Sequence, residues 1–508
     1  MVFNYPRARL STSPARRLAA GLLLALCGSL AMAQALPSQS LPPEVEAALA
    51  RARVPRDTLA ALVVDAAPDP GGKGAPLLSY RADASVNPAS VMKLVTTYAG
   101  LELLGPSFTW STPVYVDGTI KDGVLQGNLV IQGKGDPKLV LERLWLLLRR
   151  VQSLGIQTIA GDIVLDRSAF LLAPHNPADF DGEPLRPQNA GPDALLINYK
   201  SVVMTFVPNL ATGTASVSFD PPLAGVQLQT SVPLATGNNG CGDWRGALKA
   251  DFLDPNRIAF NGSYAPACGE KSWAVAYIEP ASHAERAVLG LWQEMGGKLT
   301  GRIREGRAPV GLKPTFELVS PTLAEIIRDT NKFSNNVMAQ QLFLTLSQQR
   351  PPVAGPGGVG GGGLNVGVGS QEASRELVGN WWRERFGEQD LPVLDNGSGL
   401  SRSERVTPQG LARLLQTAYI SGAMPEMMAS LPITGIDGTL RRSRSRVSQG
   451  WAHLKSGTLR DATALAGYVH TISGRRLVVV AIINHPNAPA ARPALEALVD
   501  WTVKEGNQ

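Results

Sequence analysis

Both ends of this chain carry strand-like runs, and that placement limits what the middle can be. TLAALVVDA (58–66) is an unbroken apolar run of strand length, and PLLSYRA (76–82) follows across a GGKG turn. TALAGYVHTI (463–472) and RLVVVAIINH (476–485), joined at Ser473-Gly474, form a second hairpin pattern, and ARPALEALVDWTVKE (491–505) reads as a closing helix. Between them, VMKLVTTYAGLELLG (91–105) is apolar nearly all round, so it predicts a helix buried at a domain centre. The reading is an α/β (α+β) fold, one antiparallel sheet built from both chain ends and covered by helices. Residues 34–57, rich in proline and alanine, are expected to start loosely.

From residue 109 the texture changes. TWSTPVYVDGTIKDGVLQGNLVIQGKGDP alternates short strand runs with D-G and G-N turns. An amphipathic helix (138–154) and a strand, GDIVLD (161–166), follow. Residues 196–267 are rich in strands and loops, and helical texture returns at AERAVLGLWQEMGGK (284–298). These shifts predict a domain of residues 34–108 and 285–508. It is split by an inserted domain (109–195 and 268–284), which itself holds a β-rich module (196–267). PPVAGPGGVGGGGLNVGVG (351–369) lacks the lysine and following helix of a phosphate loop, so it reads as a surface loop of unknown consequence.

Composition narrows the function classes. The chain has 508 residues, 44% hydrophobic and 18% charged, with formal charge +6. Residues 1–33 hold four arginines and no acid, so without them the charge falls to +2, too small to argue for nucleic acid. Those arginines precede the apolar run LAAGLLLALCGSLAMA, which ends in Ala31-Met32-Ala33. That reads as an export signal with cleavage expected after Ala33, the alternatives being an uncleaved anchor and a lipoprotein at Cys27, and no other segment is apolar enough to span a bilayer. Of three cysteines, Cys27 leaves with the signal. Cys241 and Cys268 remain, expected as a disulfide in an oxidising compartment, with two buried thiols as the alternative. Scattered histidines and the absence of H-E-x-x-H give no metal site, and no cofactor is expected.

The chemistry concentrates in NPASVMKLVTT (87–97). Ser90 and Lys93, three apart on a helix, share one face. Ser90 lies near a helix start, where unpaired N–H groups favour an alkoxide or an oxyanion. A lysine in an apolar helix loses solvation, so its amine can be neutral near pH 7 and accept a proton. Two further motifs follow in order: Ser334-Asn335-Asn336 between two helical stretches, and Lys455-Ser456-Gly457 just before the last hairpin. The series S-x-x-K, S-x-N, K-[ST]-G marks penicillin-recognising serine enzymes. No G-x-S-x-G is present and no histidine has an evident partner, which disfavours a Ser-His-Asp triad.

With GNLVIQGKGDP (127–137), GPDALLINYKSV (191–202), DNGSGLSR (395–402) and PITGIDGTLRRS (432–443), the chain resembles the class C low-molecular-mass penicillin-binding proteins, the D-alanyl-D-alanine carboxypeptidase/endopeptidase family. Ser456 stands where threonine is common, which keeps the hydroxyl. The resemblance implies a serine β-lactamase/transpeptidase-like domain split by two β-rich domains. It implies a periplasmic enzyme acting on peptidoglycan stem peptides and cross-links, with β-lactams as inhibitors, no nucleic acid partner, and no transmembrane anchor after signal cleavage. Ser90 would be the nucleophile and Lys93 its base. Ser334 would relay a proton to the leaving amine, and Asn336 would hold the substrate amide. Lys455, staying charged, would bind the terminal carboxylate with Ser456 and Thr458. The N–H groups of Ser90 and Thr458 would form the oxyanion hole. Gly457 would let the substrate lie close to the sheet edge, and Asp181 in FDGEPLRP (180–187) would anchor a diamino acid side chain, or be a plain turn residue. The rival readings are a serine β-lactamase or esterase on the same fold and a non-catalytic cell-wall-binding protein.

Overall fold

The computed structural model describes residues 40–67, 75–237, 240–349 and 367–505. The expected leader (1–33) and most of the glycine-rich 351–369 stretch lie outside these residues.

The two terminal hairpin patterns meet in one five-stranded antiparallel sheet. Its order is Ala452–Leu459, Ala462–His470, Arg476–Asn484, Leu59–Asp65, Leu78–Tyr80. Strand alternation then assigns the side chains to two cores. Ala60, Leu62, Ala464, Ala466, Val478, Val480 and Ile482 face one side, against helices Lys93–Leu104, Leu323–Lys332, Asn336–Gln349 and Pro408–Tyr419. Leu59, Ala61, Val63, Leu465, Val479, Ala481 and Ile483 face the other, against helices Pro43–Arg51 and Arg492–Glu505. The antiparallel sheet covered by helices is as expected.

The helix Lys93–Leu104 is buried on every side through Leu101, and it ends at Gly105, whose φ of +82° suits the left-handed stop. It packs closely on Asn336–Gln349: a Cβ on Gly100 would sit 3.1 Å from Leu342. Residues 43–51 depart from the loose start expected of them. They form a helix with proline in its first turn, because Val45, Ala48 and Leu49 recur at helical spacing and bury against the closing helix.

The region expected as an insertion contains two larger sheets. Seven strands between Ser111 and Val319 make one. Ser201–Asn209, Thr214–Asp220, Ser231–Pro233 and Lys271–Ala276 make the other. Both contribute to one hydrophobic core with helices Leu141–Ser153 and Pro280–Glu294. Strand pairing carries the first of these sheets past the expected boundary at 285. Lys298–Leu299 pairs with Thr158–Ile159, Ile303–Gly306 with Ile163–Asp166, and Phe316–Val319 with Ser111–Val114. These are short returning strands, and helical texture at 284 conceals them. Cys241 and Cys268 are joined as a disulfide within this region.

Helix Asn336–Gln349 is tied to the loops at Gly135 and Asp193 through Gln341. Its side chain donates to the carbonyls of Gly135 and Asp193 and accepts the Asp193 N–H. Lys138 pairs with Asp329 nearby. No helix among the described residues is long and apolar enough to cross a membrane.

Candidate active site

Asn87 shapes the turn that presents Ser90. Its side chain accepts the N–H of Ala89 at 2.8 Å and donates to the carbonyl of Ser401 at 2.9 Å. Its backbone is held from the sheet by both amide atoms of Asn484. Ala89 then takes a φ of +48°, a left-handed conformation that costs a non-glycine residue about 1–2 kcal/mol. A 3-10 turn (Ala89–Met92) follows, and the α-helix proper begins at Lys93. Ser90 therefore sits in the entry turn, half-buried, with Lys93 one turn below it and fully buried.

The Lys93 amine has three polar neighbours: Ser90 Oγ at 3.1 Å, Asn336 Oδ1 at 2.6 Å and the Ser398 carbonyl at 2.5 Å. A neutral amine has two hydrogens and one lone pair. Asn336 and Ser398 are pure acceptors here and take the two hydrogens, which leaves the lone pair for the Ser90 hydroxyl. Burial pushes the Lys93 pKa down to about 7, opposed by the negative charge of Glu404.

Ser334 lies at the joint between helices Leu323–Lys332 and Asn336–Gln349, with a left-handed φ of +55°. Its hydroxyl accepts from Lys455 Nζ at 2.8 Å, and that amine also donates to the carbonyl of Ser456 at 2.6 Å. Lys455 is fully buried. Desolvation, and after it the proximity of Lys93, lowers its pKa well below the ordinary lysine value. Desolvation thus works against the expectation that Lys455 keeps its charge in the free enzyme. Without an anion beside it, the dry site disfavours its ammonium form too.

Lys455 lies on the edge strand Ala452–Leu459, whose outer side, among the described residues, is bridged only at its start, between Ile433 and His453. Lys455 and Gly457 pair with Ala466 and Ala464, which face the helices. A Cβ on Gly457 would lie 2.7 Å from the Pro88 carbonyl and 3.0 Å from Ser90 N, so only glycine lets the strand approach the nucleophile turn this closely. Ser456, on the opposite pleat, has its hydroxyl 2.6 Å from Thr439 Oγ1. Thr458 is exposed.

Asp181 stands apart from this cluster. Its carboxylate accepts from Arg186, from Asn189 Nδ2 at 2.7 Å and from the Glu183 N–H, all within its own loop. The same loop reaches the site through Gln188, whose carbonyl accepts from Asn336 Nδ2 at 3.0 Å. A cleft of about 760 Å³ opens on this side, lined by Asp179, Phe180, Gln340, Asn396, Leu400 and Arg402 among others, but not by Asp181. Arg402 stacks over the Phe180 ring, 4.5 Å from its centroid. A second cleft of about 610 Å³ lies by the chain neighbours of Ser334 and Thr439.

Several contributors carry no motif. Glu404 is completely buried, and one of its oxygens accepts the N–H groups of Asp395, Asn396 and Gly397. It thereby fixes the loop whose next carbonyl, at Ser398, receives Lys93. Burial raises the Glu404 pKa to about 7. The stretch DNGSGLSR supports the family resemblance but gives no hint that a carboxylate two residues beyond it lies under Lys93. Asn87, Asn484, Gln188 and Thr439 are equally silent in the sequence.

The profile of the D-Ala-D-Ala carboxypeptidase 3 (S13) family matches residues 41–505. The chain is 28% identical over 434 residues to the D-alanyl-D-alanine carboxypeptidase of Actinomadura sp. (strain R39), covering 80% of this chain and 75% of that protein. The crystal structure of penicillin binding protein 4 (dacB) from Haemophilus influenzae shares the fold, with a TM-score of 0.66 at 22% identity over 91% of this chain and 99% of that one. The same protein complexed with a novel β-lactam matches with a TM-score of 0.61 at 21% identity, over 88% and 96% of the two chains.

Proposed function

The chain belongs to the D-Ala-D-Ala carboxypeptidase 3 (S13) family and is a serine-type D-Ala-D-Ala carboxypeptidase; from that premise we propose that it trims stem peptides and cuts peptide cross-links of peptidoglycan through an acyl-enzyme on Ser90. The observation that carries this reading is the buried Lys93 amine, within hydrogen-bond reach of Ser90 Oγ, Asn336 Oδ1 and the Ser398 carbonyl.

In this reading, Ser90 Oγ attacks the carbonyl of the penultimate D-alanine while its proton passes to Lys93 Nζ. The oxyanion is held by the backbone N–H groups of Ser90 and Thr458, and the substrate lies along the open edge strand. On collapse, the peptide C–N bond breaks and the leaving amine takes a proton through Ser334. Water then attacks the ester, returns a proton to the site and frees the shortened peptide. Lys455 takes up a proton as the terminal carboxylate enters, because the anion replaces the lost solvation of its ammonium. Ser456 and Thr458 hold the same carboxylate, and Asn336 holds the substrate amide.

β-Lactams, whose strained amide and carboxylate imitate acyl-D-Ala-D-Ala, acylate the same serine. Export to the periplasm is part of the proposal, supported by Ala31-Met32-Ala33 and by the Cys241–Cys268 disulfide. So is the division into a catalytic domain, of residues 34–108 and 320 onward, and an insertion with two β-rich units. The anchoring role expected of Asp181 is not carried forward, since its carboxylate already holds its own loop.

Incubating the protein with isolated peptidoglycan and profiling the muropeptides tests the reading. Loss of terminal D-alanine and conversion of cross-linked dimers to monomers are expected. Intact mass after penicillin treatment should show one adduct, mapped to Ser90. An adduct elsewhere, or unchanged muropeptides from folded protein, would reject it.

A further inference from the structure

We propose that the cleft beside Ser334 and Thr439 is the subsite for the second stem peptide of a cross-link, the strand that leaves when the enzyme cuts between two peptides. The inference rests on the cross-link-cleaving part of the proposed function.

The cleft is lined by Arg328, Asp329, Lys332, Phe333, Ile436, Asp437, Gly438 and Arg441. Its position follows from the chain. Phe333 immediately precedes Ser334, and Gly438 immediately precedes Thr439, whose hydroxyl contacts Ser456. Lys455 joins these groups by donating to Ser334 Oγ and to the Ser456 carbonyl. In the proposed function the carboxylate of the leaving residue is held at Lys455 and Ser456, so the side chain on the same α carbon comes to lie beside this cleft. Free D-alanine ends at a methyl and a carboxylate and has nothing to place there. The leaving residue of a cross-link is instead the far end of a diamino acid. Its alkyl chain continues into a second peptide bearing further carboxylates.

The lining suits that chemistry. Phe333 is 70% exposed and Ile436 is 52% exposed, although they flank a buried polar site. Large apolar side chains left open beside a cleft mark a contact surface. The two walls are locked: Lys332 pairs with Asp437 at 2.5 Å, and a Cβ on Gly438 would lie 2.5 Å from the Lys332 carbonyl. Arg328 and Asp329 also pair. Those cations are matched, whereas Arg441 is exposed and makes no ion pair among the described residues. It opens the run Arg441, Arg442, Arg444 and Arg446, all exposed and all likewise without an ion pair among the described residues. A guanidinium at the mouth can take a peptide carboxylate in a bidentate pair. At about 610 Å³ the cleft is within the roughly 300–1,000 Å³ of sites that enclose a sizeable small molecule.

The test compares two substrates on the full-length protein: a cross-linked disaccharide-tetrapeptide dimer and a linear pentapeptide ending in D-Ala-D-Ala. Phe333→Ala and Arg441→Ala should each lower kcat/KM for the dimer at least fivefold. D-Alanine release and the rate of penicillin labelling should stay within twofold. Arg441→Lys should recover part of the dimer activity. Melting temperatures verify that each variant is folded, and because both side chains are exposed no loss is expected. An equal fall on both substrates, or no fall on the dimer, overturns the subsite. Wild-type protein that releases D-alanine but leaves the dimer intact rejects the cross-link reading itself, a result separate from failure of the subsite.

Discussion

In the proposed mechanism Ser90 and Lys93 divide a proton between them, and the division is set by groups that neither residue touches in sequence. Lys93 acts as a base only when neutral, and its pKa is lowered to about 7. Acylation by a fluorescent penicillin should therefore be slow below pH 7, rise through about pH 7, and level off above it. Arginine stays protonated throughout, so Lys93→Arg should cost roughly a thousandfold in acylation at every pH, within the usual range for losing a general base. Glu404 opposes this poise, because its carboxylate favours the Lys93 ammonium. Glu404→Gln keeps an oxygen for the three N–H groups of 395–397 but removes the charge. The acidic limb of the acylation profile should then move to lower pH with the plateau largely retained. A limb that stays in place or moves to higher pH would refute the coupling.

The proposed catalytic groups come from three elements brought close: the entry turn of a buried helix, the joint between two helices, and a sheet edge. One close approach is at Gly457, where added bulk meets the Pro88 carbonyl and Ser90 N. Gly457→Ala should slow acylation tenfold or more by pushing the edge strand from the nucleophile turn. Stability should fall by only about 1–3 kcal/mol, the usual cost of overpacking. Stopped-flow labelling and thermal melting separate the two effects, and a labelling rate equal to wild type would show that the strand yields freely. The loop around Asp181 is a second case. Asp181 holds Arg186 and Asn189, and Gln188 between them holds Asn336. Asp181→Ala should therefore slow both peptide cleavage and penicillin acylation, as a structural role requires. Loss confined to peptide cleavage would restore the anchoring role.

The proposed insertion has a core of two sheets and meets helices Leu323–Lys332 and Asn336–Gln349 through contacts such as Gln341 and Lys138–Asp329. The disulfide lies within it, at a sequence separation of 27. Closing a loop of that length stabilises the folded chain by about 3 kcal/mol in the loop-entropy model. Reduction should therefore lower the melting of the insertion first. Penicillin labelling of Ser90 should persist at temperatures where the inserted core has begun to open. Differential scanning calorimetry with and without reductant, alongside labelling, reads both. Simultaneous loss would mean that the two cores melt as one unit.

Short-range patterns were legible because their physics is short-range. The Ser90–Lys93 spacing is one helical turn, the terminal hairpins alternate or run apolar over strand length, and the helix at 93–104 is apolar all round. These local rules, with the three motifs in order, pointed to the sheet, its helical cover and the family without coordinates. Helix Pro43–Arg51 was hidden by prolines and alanines, although its buried positions obey the same spacing. The strands at 298–319 were hidden because returning strands of two to four residues carry almost no periodic signal. Glu404 beneath Lys93, Asn484 behind Asn87, Gln188 on Asn336 and Thr439 on Ser456 are decided by packing. So is the protonation of both lysines. Desolvation is a property of everything folded around a group, and in the linear chain Lys93 and Lys455 are 362 residues apart.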